Sequence, residues 1–150
     1  MWNTGLCQLR NGTTSTLFFI DEEDTFHSAV INPGEIYEGD GVIFPWCINS
    51  YEVFKKAFRV YRGTDRTGPL ILWMFQNYVD DTVYYIAGNT VLWNQKQGVG
   101  EGPSPYLRIS IGTDEIPFGL ALPYCSFVPP ATSGAVGEEQ FVPKYMASSD

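Results

Sequence analysis

Basic residues, histidine and long apolar runs are all scarce in this sequence. Nine Lys and Arg stand against seventeen Asp and Glu, which gives a formal net charge of −8. Because nucleic-acid binding requires Lys and Arg to neutralise phosphates, this balance argues against a nucleic-acid partner and against anionic lipid. No segment approaches the roughly 18 apolar residues of a membrane-spanning helix, so no transmembrane segment is predicted.

The residues that most often carry catalysis are few. The single histidine, His27, cannot build a multi-histidine metal site, and no G-x-S-x-G nucleophile elbow accompanies it. The three cysteines, Cys7, Cys47 and Cys125, are an odd number, which favours free buried thiols over a disulfide framework. No catalytic residue is therefore assigned. Enzyme activity is left open, but the composition leans against it.

The first residues of the sequence also predict no secretory leader. Residues Met1–Gly5 carry neither the basic region nor the apolar core of a signal peptide. The expected location is cytoplasmic, or extracellular after secretion without a leader, and the sequence does not choose between them. Asn11-Gly12-Thr13 matches a glycosylation sequon, but without a leader we interpret Asn11-Gly12 as a hairpin turn.

In place of these features the chain is rich in residues that interrupt helices. Fifteen Gly and ten Pro divide it into short segments, and aromatic residues make up 15%. Rings suit the pleated, half-buried surface of a sheet. We therefore predict an all-β fold, a single-domain antiparallel β-sandwich of about 8–9 strands over residues 1–128. A closed or partly open β-barrel is the alternative. Residues 129–150 are expected to form a C-terminal tail that packs partly on the surface or frays.

Alternation of apolar and polar residues predicts several strands. In Tyr106–Ile111, the side chains of Leu107, Ile109 and Ile111 are expected to face the core, and the intervening ones to face out. The apolar run Leu70–Gln76 is typical of a central strand. Further strands are predicted at Thr25–Ile31, Val42–Ile48 and Lys55–Arg62 and within Phe118–Val128, with one helical turn as an option at Ser50–Phe54.

Turn residues predict how these strands connect. The first hairpin is expected to join Gly5–Arg10 to Thr14–Ile20 through Asn11-Gly12, which tolerates the positive φ of a type I′ turn. The second is expected to join Thr82–Ala87 to Thr90–Asn94 around Gly88-Asn89. Two further interruptions are predicted, a type II turn at Asn32-Pro33-Gly34-Glu35 and a break at Gly39-Asp40-Gly41.

The density of aromatic residues is the most informative functional feature. Sugars stack on exposed Trp and Tyr rings, with amide and carboxylate side chains beside them to bond hydroxyl groups, and the same rings suit a membrane interface. Core packing is the ordinary alternative for any single ring. The candidate ligand-binding residues are Trp93, Asn94, Tyr78, Asn77, Tyr84 and Asp80.

Clusters of carboxylates make Ca²⁺ the one cofactor that the sequence leaves open, although none is required. Calcium is held by six to eight oxygen ligands, and acidic loops that meet at one end of a sandwich can supply them. The candidate metal ligands are Asp21, Asp24, Asp80 and Asp81. The alternative is that these residues keep the loops solvated and the protein soluble.

Taken together, these features favour a non-enzymatic binding module that recognises a neutral carbohydrate in the manner of a lectin. One alternative is a membrane-active protein, pore-forming or lipid-binding, that uses the rings on neutral lipid headgroups. A second alternative is a structural protein that covers its aromatic face with another copy and forms a homo-oligomer.

Overall fold

A computed structural model describes residues 3–99 and 106–112, together with the backbone of 124–127. Within these residues the chain forms short strands and few helical segments. The elements in chain order are β1 (Gly5–Gly12), β2 (Leu17–Asp21), β3 (Ser28–Ile31), β4 (Ile36–Ile43), β5 (Trp46–Cys47), α1 (Ser50–Lys56), β6 (Phe58–Arg62), β7 (Leu70–Asn77), β8 (Val83–Ala87), a 3₁₀ turn (Trp93–Gln95), β9 (Gln97–Gly98), β10 (Tyr106–Gly112) and β11 (Tyr124–Phe127). The predicted tail, residues 129–150, lies outside the described residues.

The described strands form two sheets. The four-stranded sheet has the order β11-β10-β1-β4. The seven-stranded sheet has the order β3-β2-β6-β7-β8-β9, and β5 pairs with β7 beyond the point where β6 ends. The predicted all-β, sandwich-like fold is therefore confirmed, and the described strands do not close into a barrel.

The antiparallel pairing expected for the sandwich holds for most of the described ladders, but not for all of them. β10 lies parallel to both β1 and β11, and β5 lies parallel to β7. The other six described ladders are antiparallel. A parallel pair needs a long connection, which the chain between β1 and β10 supplies. Alternation within one strand carries no information about the direction of its neighbour.

The predicted first hairpin is also wrong, because β1 and β2 belong to different sheets. Asn11 and Gly12 continue β1 instead of turning. The buried Asn11 side chain ties the corner between the sheets: its Nδ2 donates to the carbonyls of Ser15, at 2.7 Å, and Ile31, at 2.8 Å. Its Oδ1 accepts from the Thr13 N–H at 2.9 Å. An amide that bonds several backbone groups can stabilise an arch between two sheets as readily as a hairpin within one sheet.

The predicted break at Gly39-Asp40-Gly41 is a bulge inside β4. Across the β1–β4 ladder, Leu6 pairs with Val42 and Gln8 with Glu38, so three residues of β4 stand opposite one of β1. Asp40 and Gly41 have φ values of 51° and 81°. A Cβ on Gly39 would lie 2.4 Å from the Leu6 carbonyl oxygen, so only glycine fits there. In contrast, the turn at residues 32–35 is confirmed, with Gly34 at φ 83° and a 2.9 Å bond from the Glu35 N–H to the Asn32 carbonyl.

The second predicted hairpin is half correct. β8 forms as expected, but residues 90–92 are irregular and Trp93–Gln95 is a 3₁₀ turn, so no strand returns there. β9 pairs with β8 instead. Gly88, at φ 101°, turns the chain away from the sheet and presents its carbonyl to the Nε1 of Trp73 at 3.1 Å. The chain therefore leaves the sheet at Gly88-Asn89, where the sequence predicts a hairpin.

Two apolar clusters hold the described part of the chain together. The inner cluster lies between the sheets and takes the residues of β10 that were expected to face the core; its largest members are Phe19, Phe44, Phe58, Leu6, Leu9, Leu72, Met74 and Ile109. Arg108 and Ser110, which were expected to face out, are buried as well. The outer cluster lies on the other face of the seven-stranded sheet; its members include Trp73, Phe75, Ile86, Val53 and Val91. β7 contributes to both clusters, and all of its residues are buried, as predicted for a central strand.

The outer cluster is covered by α1 and by the irregular segment 89–95. Helix α1 begins at a capping residue, Asn49, whose side chain accepts from the Glu52 N–H at 3.0 Å, while the Glu52 carboxylate accepts from the Ile48 N–H. Within the described residues, none of the helical segments is both long and apolar enough to cross a bilayer.

Candidate functional site

The predicted ligand-binding residues gather around the turn between β7 and β8. Asn77 is buried at the start of this turn, and its side chain accepts from the Val79 N–H at 3.0 Å. Its backbone carbonyl accepts from the N–H of Asp81, a residue at φ 61°. Asn77 therefore shapes the turn that presents Tyr78 and Asp80 to solvent, and it is not itself an exposed ligand group.

Tyr84 lies in β8, and its side chain contacts this turn. Its hydroxyl donates to Asp80 Oδ2 at 2.5 Å. Partial burial is the main cause that raises the pKa of Tyr84 above its ordinary value, and the hydrogen bond to Asp80 adds to the shift. The neutral hydroxyl thus holds one oxygen of the Asp80 carboxylate, and the other oxygen accepts from the Thr82 N–H at 3.0 Å.

The Tyr84 ring belongs to a stack of three rings with Phe75 and Trp93. Phe75 is fully buried, and its ring lies 6.1 Å from that of Tyr84 and 5.4 Å from that of Trp93, with interplanar angles of 23° and 29°. Lys96 lies over the two outer rings, with its Nζ 4.2 Å from the centroid of Trp93 and 5.2 Å from that of Tyr84. We call Phe75, Tyr84, Trp93 and Lys96 the ring cluster.

The 3₁₀ turn holds Trp93 in this position. The Trp93 N–H donates to the buried hydroxyl of Ser50 at 2.9 Å, which ties the turn to the start of α1. Trp93 remains partly exposed, and the two amides that follow it, Asn94 and Gln95, are exposed. The ring cluster therefore has one buried ring, two partly exposed rings, and amide and carboxylate groups at its margin.

Tyr78 points to a different neighbour. Its ring makes an edge contact with Trp46 at 6.0 Å, and the Trp46 Nε1 donates to Asn3 at 2.8 Å. Half of the Tyr78 side chain is exposed. Among the predicted ligand-binding residues, Tyr84, Trp93 and Asp80 thus come together with Asn94 at their margin, while Tyr78 shares the turn but not the ring contacts.

Sequence reasoning missed Lys96 and Phe75. Phe75 lies in an apolar run that any buried strand would share, so no signal distinguishes its role. Lys96 follows Trp93 by three residues, which would bring the two side chains together in any tight helical turn. The sequence predicts a strand there, and this expectation concealed the contact.

The candidate metal ligands fall into two separate groups. Asp21 ends β2, whereas Asp80 and Asp81 lie in the turn after β7, and β6 lies between β2 and β7. At about 4.8 Å per strand this lateral separation is roughly 10 Å. The register also sets Asp21 level with Met74, before the end of β7, so the fold does not bring the two groups together. In the part of the chain that the structure describes, no three His, Cys, Asp or Glu side chains are placed to hold a metal. Calcium binding stays a prediction.

The carboxylates of the first group surround His27 instead. The His27 Nδ1 lies 3.7 Å from Asp21 Oδ2 and 3.5 Å from Asp24 Oδ2. The sequence predicts His27 within the third strand, but in the structure it precedes β3, and its side chain is partly buried. Burial raises the pKa of the Asp21 carboxyl above its ordinary value, against the opposing effect of the backbone N–H groups of Glu23 and Asp24. This arrangement braces the loop between β2 and β3.

Fold and site together define this chain as a two-sheet, sandwich-like all-β protein with a partly exposed ring cluster beside an acidic turn. No protein-family model matches the chain, and neither a curated protein nor a solved structure matches it. The function must therefore be argued from the geometry of the site alone.

Proposed function

We propose that this chain is a non-enzymatic, lectin-like binding module that recognises a neutral carbohydrate at the ring cluster. The observation that carries the proposal is the position of Trp93 and Tyr84, which stack against the buried Phe75 and remain partly exposed. A rigid buried ring beneath them keeps the two outer rings in place before a ligand arrives. Such preorganisation reduces the entropy lost on binding.

The polar groups at the margin of the cluster suit a sugar. The Asp80 carboxylate lies at the Tyr84 hydroxyl, and the exposed Asn94 and Gln95 follow Trp93. A carboxylate accepts hydrogen bonds from sugar hydroxyls, and an amide both donates and accepts. Aromatic faces meanwhile pack against the apolar C–H face of the sugar.

Lys96 has a particular part in this proposal. Its ammonium group covers the outer rings in the free protein, 4.2 Å from the Trp93 centroid. Its Nζ also reaches the Trp93 carbonyl, at 3.4 Å. A lysine side chain is flexible, so a sugar ring can replace it on the aromatic face while the ammonium group swings aside to bond a hydroxyl.

The test is binding to a panel of glycans, followed by calorimetry with the glycan that binds best. We expect Trp93→Ala to weaken that glycan at least about tenfold, because a stacked aromatic contact is removed. Circular dichroism checks that the variant keeps its strands. If no glycan binds at millimolar concentration, or if Trp93→Ala binds as the native chain does, the proposal is wrong.

The chain offers a matched control. Tyr51 on α1 is about half exposed, and Lys55 lies over its ring at 5.3 Å, so it repeats the lysine–aromatic contact away from the ring cluster. Tyr51→Ala should leave glycan affinity unchanged. Binding to vesicles of a neutral phosphatidylcholine, in the absence of glycan binding, would instead favour the membrane-active alternative.

A further inference from the structure

In the part of the chain that the structure describes, one side of the sandwich is open. Among the described strands, β3 pairs only with β2 and β4 pairs only with β1, so each is an edge strand of its sheet. Two cavities of about 460 and 410 Å³ lie along this side, and Tyr37 and Glu38 line both of them. We call the pair the β3–β4 groove; its lining includes Asp21, Asp24, Val30, Glu35, Glu38 and Asp40.

β3 offers peptide groups for a further strand. The Asp21 N–H donates to the His27 carbonyl at 2.9 Å, and this bond sets the phase of the β2–β3 ladder. Because successive residues of an antiparallel strand alternate, the peptide groups of Ala29 and Ile31 face β2 and those of Ser28 and Val30 point away. The Ser28 N–H donates to the Phe26 carbonyl at 3.1 Å, so the donor that β3 offers to an added strand is the Val30 N–H. β3 has no charged residue and no proline, the usual devices that block an exposed edge.

β4, on the other side of the groove, is protected. Its ladder is interrupted by the bulge at residues 39–41, which leaves no regular edge for pairing. It also places Glu38 and Asp40 at the groove. An added strand would therefore pair with β3 and lie alongside β4 without joining it.

Charge indicates what kind of strand fits. The ionisable residues that line the groove are five carboxylates, His27 and Tyr37, with no Lys or Arg among the described lining residues. A second copy of this chain would bring the same carboxylates against them, and the whole chain carries a net charge of −8. Repulsion between like charges therefore disfavours a second copy as the occupant of the groove. Two apolar side chains flank the same edge, Phe26 at 95% exposure and Val30 at 46%.

We propose that the β3–β4 groove binds an extended basic peptide segment of a partner protein. The segment adds to the free edge of β3, its Lys or Arg side chains lie beside Asp21, Glu38 and Asp40, and its apolar side chains cover Val30. Main-chain hydrogen bonds supply affinity in this mode of recognition, and the alternating side chains supply specificity. The site is separate from the ring cluster and does not depend on carbohydrate binding.

The first experiment compares three short labelled peptides by fluorescence anisotropy on the full chain. One alternates Lys and Val, one alternates Glu and Val, and one is the Lys peptide with alternate amides N-methylated. The Lys peptide is expected to bind, with affinity that falls as salt is raised. The N-methylated peptide should bind at least about fivefold more weakly, because it cannot complete the ladder. The Glu peptide should not bind.

A substitution in β3 tests the edge itself. Val30→Pro removes an N–H that points away from β2, so it blocks an added strand without breaking the β2–β3 ladder. We expect it to weaken the Lys peptide at least about fivefold while circular dichroism and the denaturant midpoint stay near those of the native chain. If this variant does not fold, the N-methylated peptide decides the same question.

A second pair of variants tests the charge. Asp40→Asn suits the positive φ at this position, and Glu35→Gln keeps the oxygen that accepts from the Asn32 N–H. Together they should weaken the Lys peptide about two- to tenfold. The control is Glu23→Gln, an exposed carboxylate that does not line the groove, which should change nothing.

Three results would overturn the proposal. The first is no binding of the Lys peptide at millimolar concentration and low salt. The second is equal binding of the Lys and Glu peptides, which would show that charge does not select the occupant. The third is self-association that depends on concentration and is abolished by Val30→Pro, since the edge would then serve a second copy of this chain.

Discussion

The two apolar clusters differ in what covers them. The inner cluster is enclosed by two sheets, and Phe19, Phe44 and Phe58 pack there with no exposure. The outer cluster is roofed by the short helix α1 and an irregular segment, so Trp73 is fully buried while Tyr84 and Trp93 remain partly exposed. The sheets leave Tyr37 and Tyr85 partly exposed at the edges of the inner cluster, and the short helix and the loop leave Tyr84 and Trp93 at the rim of the outer one. Rings at such edges are available to a ligand.

The same comparison separates stability from recognition. Rings deep in either cluster serve the fold, whereas rings at the cluster edges meet solvent: Tyr84 and Trp93 in the outer cluster, and Tyr37 and Tyr85 in the inner one. Predictions that contrast a deep ring with a rim ring, or a buried polar group with an exposed one of the same type, test this division.

The largest effect is expected for Trp73→Ala. The Trp73 ring is fully buried, contacts Phe54 at 6.3 Å, and lies 4.9 Å from the guanidinium carbon of Arg59. Its removal leaves a large cavity and the Gly88 carbonyl without its indole donor. The free energy of unfolding should fall by about 3–5 kcal/mol. Denaturant melts measure it.

Trp93→Ala is the comparison for that experiment. Trp93 lies at the rim and is partly exposed, so its removal takes less buried area from the fold. The free energy of unfolding should fall by about 1 kcal/mol. Similar losses for the two tryptophans would contradict the distinction between deep and rim rings.

An intermediate effect is expected for Asn11→Ala at the corner between the sheets. The substitution leaves the Ser15 and Ile31 carbonyls and the Thr13 N–H without their side-chain partner. The expected cost is about 1–3 kcal/mol. Asn32→Ala is the control, since Asn32 is exposed and its side chain accepts only from Thr16 at 3.2 Å. If the two variants unfold at the same urea concentration, the Asn11 side chain does not stabilise the corner between the sheets.

The smallest effect is expected for Tyr84→Phe, which removes the hydrogen bond to Asp80 and should cost no more than about 1 kcal/mol at neutral pH. Folding raises the pKa of Tyr84, so the stability that its neutral hydroxyl contributes is present below pH of about 10 and is lost as the pH rises through the folded-state pKa. The difference between native chain and variant should therefore shrink above pH of about 10. Denaturant midpoints on both sides of that pH measure it, and a difference that grows would contradict the assignment.

Much of the candidate site could be named from the sequence, but its geometry could not. The mixture of rings, amides and carboxylates near residues 77–84 and 93–94 is a compositional signal, and the fold brings Tyr84, Trp93 and Asp80 together. Lys96 and the free edge of β3 could not be found in the same way. A cation–ring contact and an unpaired edge depend on which segments become neighbours, and local composition does not encode this.

Alternation, apolar runs and turn residues by themselves determined the all-β class, the strands β6, β7 and β10, and the turn at residues 32–35. These features follow from the φ, ψ and burial preferences of adjacent residues. Tertiary structure alone decided that Asn11 and Gly12 extend a strand, that β10 lies parallel to β1, and that residues 39–41 bulge. The physical reason is that partners far apart in the chain compete for the same edges and the same buried volume, and that competition is settled only when the whole chain packs.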